Sequence, residues 1–259
     1  MFNRDKYMQR ARGAVVKAVS SRDLLLCQTV SAANELDKCI NVMYEKLTEW
    51  YGLYFPELRM NDVKGYCNLV LVLDRKNPDM EIIAGAAGQK SAQSIFNRAK
   101  NSMGADFSIA DLEETRALSG NILSLLELRT RVETYQNAIA KELCPNLSHL
   151  VEPALAAKLV AQAGSLQKLA LMPASTIQVI GATKALFKHL RGGAKSPKHG
   201  VIFQHYSISS STKKIRGKIA RALSAKIAMA ARADAFSGNF IAQKLKEDFE
   251  RRFNELKTK

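Results

Sequence analysis

From Pro153 to Ala233 the 259-residue chain has no aspartate or glutamate, yet those 81 residues carry fourteen lysines and arginines. The stretch is not low-complexity, since apolar residues recur at helical spacing between short Gly/Pro breaks, so it folds and holds its charge on a surface. A cationic surface with no opposing carboxylates suits a polyanion, and neutralising phosphates releases condensed counterions for strong, salt-sensitive binding. Other scarcities narrow the class further. The four cysteines, Cys27, Cys39, Cys67 and Cys144, lack the close pairs that zinc and redox motifs need. With no signal peptide before them, they read as reduced, mostly packing residues of a cytoplasmic chain. No apolar run approaches the roughly 20 residues of a membrane span; a membrane-surface role for the basic tail is the weaker reading, and no membrane partner is expected.

The net charge of +15 is unevenly placed: residues 181–259 hold 18 basic and 5 acidic side chains, against 21 and 19 in residues 1–180. The first part reads as helical. One helix is expected from about Arg10 to Tyr51, with Ala33, Leu36, Ile40, Met43, Leu47 and Trp50 in the three-four steps of a coiled-coil seam. Gly52 and Pro56 are expected to end it, leaving four aromatics to be covered at the turn. Val70 to Leu73 reads as strand or buried helix, within a stretch of shorter helices. Ser108 is placed to cap a second long helix carrying Leu118, Leu125, Val132 and Ile139 seven apart, which ends at Cys144-Pro145-Asn146. The predicted fold is therefore all-α, with an antiparallel coiled-coil hairpin over residues 1–143 and a compact helical domain over 144–259.

Within the second domain, Ala154–Ala163 and Leu166–Leu171 read as short helices, Met172–Thr176 as a turn, Val201–Phe203 as a stub of strand and Ser207–Thr212 as a loop. On a wheel of about 100° per residue, Lys214, Lys218, Arg221 and Arg232 fall within one stripe of about 60°. Ile215, Ile219, Leu223, Ile227 and Ala230 gather opposite, and Ala225 and Ala228 lie near the cationic stripe, where small residues admit a close partner. Lys184 and Lys188 sit one turn apart on a helix opened by Gly181-Ala182, whose free N–H groups favour an anion. Phe203-Gln204-His205-Tyr206 supplies flat groups that either stack on unpaired bases or serve the core. A catalytic reading finds little support. His189, His199 and His205 lack metal-site spacing, and Ser207 to Ser211 lacks a nucleophile elbow, so no enzyme, metal or cofactor is expected.

The runs PASTIQVIGATKALFKHL, KHGVIFQ and IRGKIARALSAKIAMAARADAFSG, with EWYGLYFPEL, GADFSIADLEETRAL and PNLSHLV upstream, resemble the Nop-domain family. More narrowly they resemble the archaeal core scaffold of box C/D small ribonucleoproteins, the partner of fibrillarin. The resemblance covers about residues 10–255 and implies an all-helical protein without enzymatic activity. It implies a coiled coil that self-associates as a homodimer. It also implies a domain that clamps box C/D guide RNA at a kink-turn together with the small protein bound there, positioning the fibrillarin methyltransferase for guide-directed ribose methylation of ribosomal and transfer RNA. Binding positions carried over are Gly181, Ala182 and Lys184, then Gln204, then Arg216, Lys218, Arg221, Lys226 and Arg232; the residue pattern adds Lys188 and Lys214. Family members usually have an acidic residue where Thr183 stands, and a separate fibrillarin-holding domain before the coiled coil, which this chain is expected to lack. The alternative is a coiled-coil interaction protein whose basic domain binds nucleic acid without specificity. A spliceosomal relative fits less well in the basic helix.

Overall fold

The computed structural model describes the backbone of residues 4–19 and 21–258 and side chains at 4–16 and 21–258. Every regular element among them is helical. The first six helices are α1 (Arg4–Val19), α2 (Arg22–Tyr54), α3 (Val63–Val72), α4 (Met80–Ala87), α5 (Gln89–Lys100) and α6 (Ile109–Leu143). Then come α7 (Pro145–Val151), α8 (Pro153–Ala163), α9 (Leu166–Leu171), α10 (Ala174–Val179) and α11 (Thr183–Gly192). A 3-10 turn (Val201–Gln204) precedes α12 (Tyr206–Ser209) and α13 (Arg216–Arg232), and a π-helical turn (Ala233–Ser237) leads to α14 (Ala242–Lys257). No described helix is long and apolar enough to cross a membrane.

Packing divides the chain into two compact units, Ala33–Val132 and the combination of Met1–Ala32 with Glu133–Lys259. The division cuts through α2 and α6, because Leu26, Val30, Ile139 and Ala140 at their ends join the core of the C-terminal helices.

In the unit Ala33–Val132, Tyr54 of α2 meets Phe107, just before α6, at 5.3 Å between ring centroids, and Asp37 meets Arg129 at 3.0 Å, so the two helix segments run antiparallel. Ser108 caps α6 as expected: its hydroxyl accepts from the Asp111 N–H, and the Asp111 carboxylate accepts in return from both the hydroxyl and the amide of Ser108. Those bonds, the hydroxyl's first, hold the Asp111 carboxyl below its ordinary range. Ile40 and Leu47 are buried at the seam, but Trp50 is 41 % exposed and Tyr51, Tyr54 and Phe55 take the inward places. Helix α2 passes straight through Gly52 and stops only ahead of Pro56, since one glycine weakens a helix without ending it. Its predicted start also differs. Two helices occupy the span from Arg10, because Ser21 opens α2 by accepting the Asp23 N–H on its hydroxyl. Of Val70 to Leu73, a strand or a buried helix by sequence, Val70 to Val72 close α3 and Leu73 is its extended C-cap; the Asp62 cap at the other end accepts from the amides of Lys64 and Gly65. The Arg75 guanidinium, 8 % exposed, donates to Ser102 Oγ, to the Gly104 and Ala105 carbonyls and to Asp106, and lies 4.6 Å from the Tyr54 ring centre. This knot closes the unit, and Gly104 is required in it: a Cβ there would stand 1.9 Å from the Tyr54 carbonyl oxygen.

In the other unit, α13 is the central element. Its Ile219, Leu223, Ile227, Ala230 and Ala231 are fully buried, in a core shared with α7 to α10 and α14. Three local readings change here. The turn predicted at Met172–Thr176 is shorter, since α10 starts at Ala174; Val201–Phe203 forms a 3-10 turn, and Ser207 falls within α12. Asn146, 1 % exposed, ties three segments together. Its Nδ2 donates to Asp234 at 2.7 Å and the Asn239 carbonyl at 2.9 Å, while its Oδ1 accepts from the amides of Ile241 and Ala242. Asp234 also accepts the amides of Asn146 and Leu147, so it caps α7 from outside that helix. All four hydrogen-bonding positions of the Asn146 amide are filled.

Asn146→Ala is expected to lower the unfolding free energy by about 2–4 kcal/mol, because it strands several buried partners at once. Gln243→Ala, on the exposed side of α14, is expected to stay within about 0.5 kcal/mol in the same denaturant titration. Thiol titration of the native chain should give one fast group, Cys39, which is exposed; Cys144 is buried and pushed up to about 12, mainly by desolvation. Denaturation should release the other three.

Candidate nucleic-acid interface

The basic side of α13 borders a groove of about 570 Å³, walled by Gln178 and Val179 of α10, Leu186 of α11, the Ser196-Pro197-Lys198 loop, and Lys214, Lys218 and Arg221. Backbone pairing builds it. The amides of Gly200 and Val201 donate to the carbonyls of Gln178 and Ile180, and the Gln178 side chain donates to the Lys198 carbonyl at 2.7 Å. Gly200 is needed because a Cβ would stand 1.9 Å from the Ile180 carbonyl oxygen, and Gly181, at φ +80°, packs against Val201. Four cations thus share one groove with no carboxylate in its lining.

Other candidate residues lie nearby in the fold but in different states. Gly181 and Ala182 lead into α11, whose first turn has neither an acidic residue nor a side-chain cap; Thr183 opens it, and Lys184 and Lys188 are exposed along it. Gln204 is exposed and its Oε1 accepts from Lys158 Nζ at 2.8 Å. Arg216 is fixed: Nε donates to the Ser211 carbonyl at 2.8 Å, Nη2 donates to the Ser209 carbonyl, and the guanidinium lies 5.2 Å from the Phe203 ring centre. Phe203 also stacks on His199 at 4.7 Å. Phe203 is 36 % exposed and Tyr206 75 % exposed, so neither ring belongs to the core. Desolvation first, and then the Arg216 charge, holds His199 below its ordinary pKa, so it is neutral at pH 7.

Two further members of the predicted set are engaged as well. Lys226 pairs with Asp248 at 3.0 Å, and the bond from Lys226 is the largest cause holding that carboxyl low. Arg232 donates to the Ala170 carbonyl at 3.1 Å, so the stripe of four becomes a groove-lining set of Lys214, Lys218 and Arg221. The small residues split likewise: Ala225 is exposed, but Ala228 is 4 % exposed and belongs to the core. The pairing arises because α14, absent from the sequence reading, lies against α13 and brings Asp248 with it. Lys198 and Lys158 were missed as well. Lys198 reaches the groove through the pairing of Gly200 with Gln178, and its signals in the sequence were its place in the acid-free stretch and at the head of the KHGVIFQ run.

Fold and surface define an all-helical protein with a basic, acid-free groove on its C-terminal unit. The chain belongs to the Nop family, since residues 32–255 match it under the description "snoRNA binding domain, fibrillarin". It is 43% identical over 249 residues to an uncharacterized NOP5 family protein of Methanocaldococcus jannaschii, covering 95% of this chain and 60% of the relative. Nucleolar protein 56 of Bos taurus is 35% identical over 260 residues, covering 96% of this chain and 43% of the relative. The chain therefore spans about half the length of these relatives. A chain of the crystal structure of a fibrillarin/Nop5p complex superposes with a TM-score of 0.58 at 27% identity, covering 98% of this chain and 80% of that one.

Lys218→Ala is expected to flatten the dependence of log affinity for an RNA probe on log salt by about 1, the signature of one lost phosphate contact. Lys226→Ala should leave that slope unchanged. Fluorescence anisotropy over a salt series reads both.

Proposed function

We propose that the chain is an RNA-binding scaffold of a box C/D-type ribonucleoprotein, docking on kink-turn guide RNA together with the small protein already bound there. The observation that carries this reading is the groove of Lys198, Lys214, Lys218 and Arg221 free of carboxylates, within a chain of the Nop family. Capture is electrostatic, followed by recognition of RNA shape and bound protein rather than base sequence. Gly181, Ala182, Lys184, Lys188, Gln204 and Arg216 extend the contact beyond the groove, with Lys226 and Arg232 as its structurally engaged margin. Residues 144–259 form the docking domain, and the hairpin of residues 1–143 pairs with a second copy as a coiled coil. The chain supports guide-directed ribose methylation of ribosomal or transfer RNA without catalysing it, the methyltransferase being fibrillarin. The fibrillarin/Nop5p neighbour favours that partner.

Lys218→Glu combined with Arg221→Glu should abolish assembly on kink-turn RNA carrying its primary binding protein, with the circular dichroism spectrum unchanged. An unaltered gel shift overturns the reading. Loss of discrimination against RNA without a kink-turn in the wild-type chain favours the non-specific alternative.

A further inference from the structure

The unit Ala33–Val132 is on balance acidic, with 12 basic and 14 acidic side chains, yet Ile82 to Ala105 is a second acid-free stretch, 24 residues long with Lys90, Arg98 and Lys100. Fold and charge coincide there. Arg59, from the segment between α2 and α3, joins Lys90 and Arg98 of α5 around a pocket of about 450 Å³, with the hydroxyl-bearing Ser91 and Ser94 also in its lining. The one carboxylate in the lining, Asp62, already accepts the amides of Lys64 and Gly65 at 3.2 and 3.0 Å. Glu57 turns its carboxylate to Ser102 Oγ and the Met103 amide; what Arg98 meets is the Glu57 carbonyl oxygen, at 3.3 Å. Neither Arg59 nor Lys90 has an ion-pair partner among the described residues.

The cations thus retain unused charge and donors in one concave place. The start of α5 adds to this, because Gly88 offers no side-chain cap and no acid lies in the first turn. Three cations with two hydroxyls match a phosphate group, whose oxygens accept several charge-assisted bonds at once. All three cations are exposed, so the pocket accepts a phosphate carried on a backbone that continues past it.

We infer that the Arg59–Lys90–Arg98 pocket is a second phosphate-binding site for RNA, in a different unit from the α13 groove. The inference rests on the RNA-scaffold reading for the source of the phosphate, and the test separates the two. The whole 259-residue chain is acetylated in limiting reagent with and without an RNA hairpin, and each lysine is followed by mass spectrometry. RNA should slow Lys90 by at least about three-fold while leaving Lys46, held by Glu49 on the same unit, unchanged. Protection of Lys90 should persist in Lys218→Glu/Arg221→Glu at higher RNA concentration, and be lost in Arg59→Ser/Arg98→Ser. Protection of Lys218 without Lys90 overturns this site and leaves the scaffold reading intact; protection of neither overturns both. Equal slowing of Lys46 and Lys90 means unspecific coating and overturns the site. Protection by millimolar inorganic phosphate but not by RNA overturns the assignment to RNA.

Discussion

Burial of one side of α13 is what the surface chemistry of the C-terminal unit depends on. Ile219, Leu223 and Ile227 are inaccessible to solvent, and burying such side chains stabilises by about 1.5–3 kcal/mol each. The alanines between them bring neighbouring helices close. Once that side is fixed, Lys218 and Arg221 project from the opposite side of the helix, with Lys214 in the turn ahead of it, and the helix becomes the wall of a groove. Lys198 joins them from the loop that the pairing of Gly200 with Gln178 holds in place. The same apolar contacts that make the domain stable orient the groups on its opposite side.

The surrounding cations differ in kind, although the sequence writes them alike. Arg216 is held by two carbonyls and an aromatic ring, Arg232 by one carbonyl and Lys226 by a carboxylate. Each has a neighbour that satisfies it before any ligand arrives. Those in the groove meet carbonyl, hydroxyl and aliphatic neighbours but no carboxylate, so their field reaches outward. Desolvation of His199 keeps that imidazole neutral beside Arg216, which avoids a further like charge against the guanidinium.

Much of this was legible from residue spacing. The helical class, the cap at Ser108, the limits of α9 and the buried side of α13 all follow from local rules acting over one or two turns, and tertiary contacts reinforce them. What escaped depends on groups distant in sequence. Trp50 loses its inward place to Tyr51 and Tyr54 because the ring cluster with Tyr66 and Phe107 decides which face is covered. Gly52 was credited with ending a helix that tertiary packing carries through. Asp248 neutralises Lys226 from 22 residues away, across two helices that no periodicity joins. Family resemblance supplied Gln204 and Arg216, which the wheel could not choose, but it gave no account of which cations are free.

Asp234 is the first acid after the long basic stretch, and it spends its charge on backbone amides of α7 instead of facing outward. Its partner Asn146 is consequently a position where hydrolytic ageing would be costly. Deamidation exchanges two donors for an acceptor, which would set a second carboxylate against Asp234 and withdraw the bond to the Asn239 carbonyl. A chain aged at this one amide would lose both side-chain donor bonds that tie the start of α7 to Asp234 and to the Asn239 carbonyl, while every cation of the groove remained chemically intact.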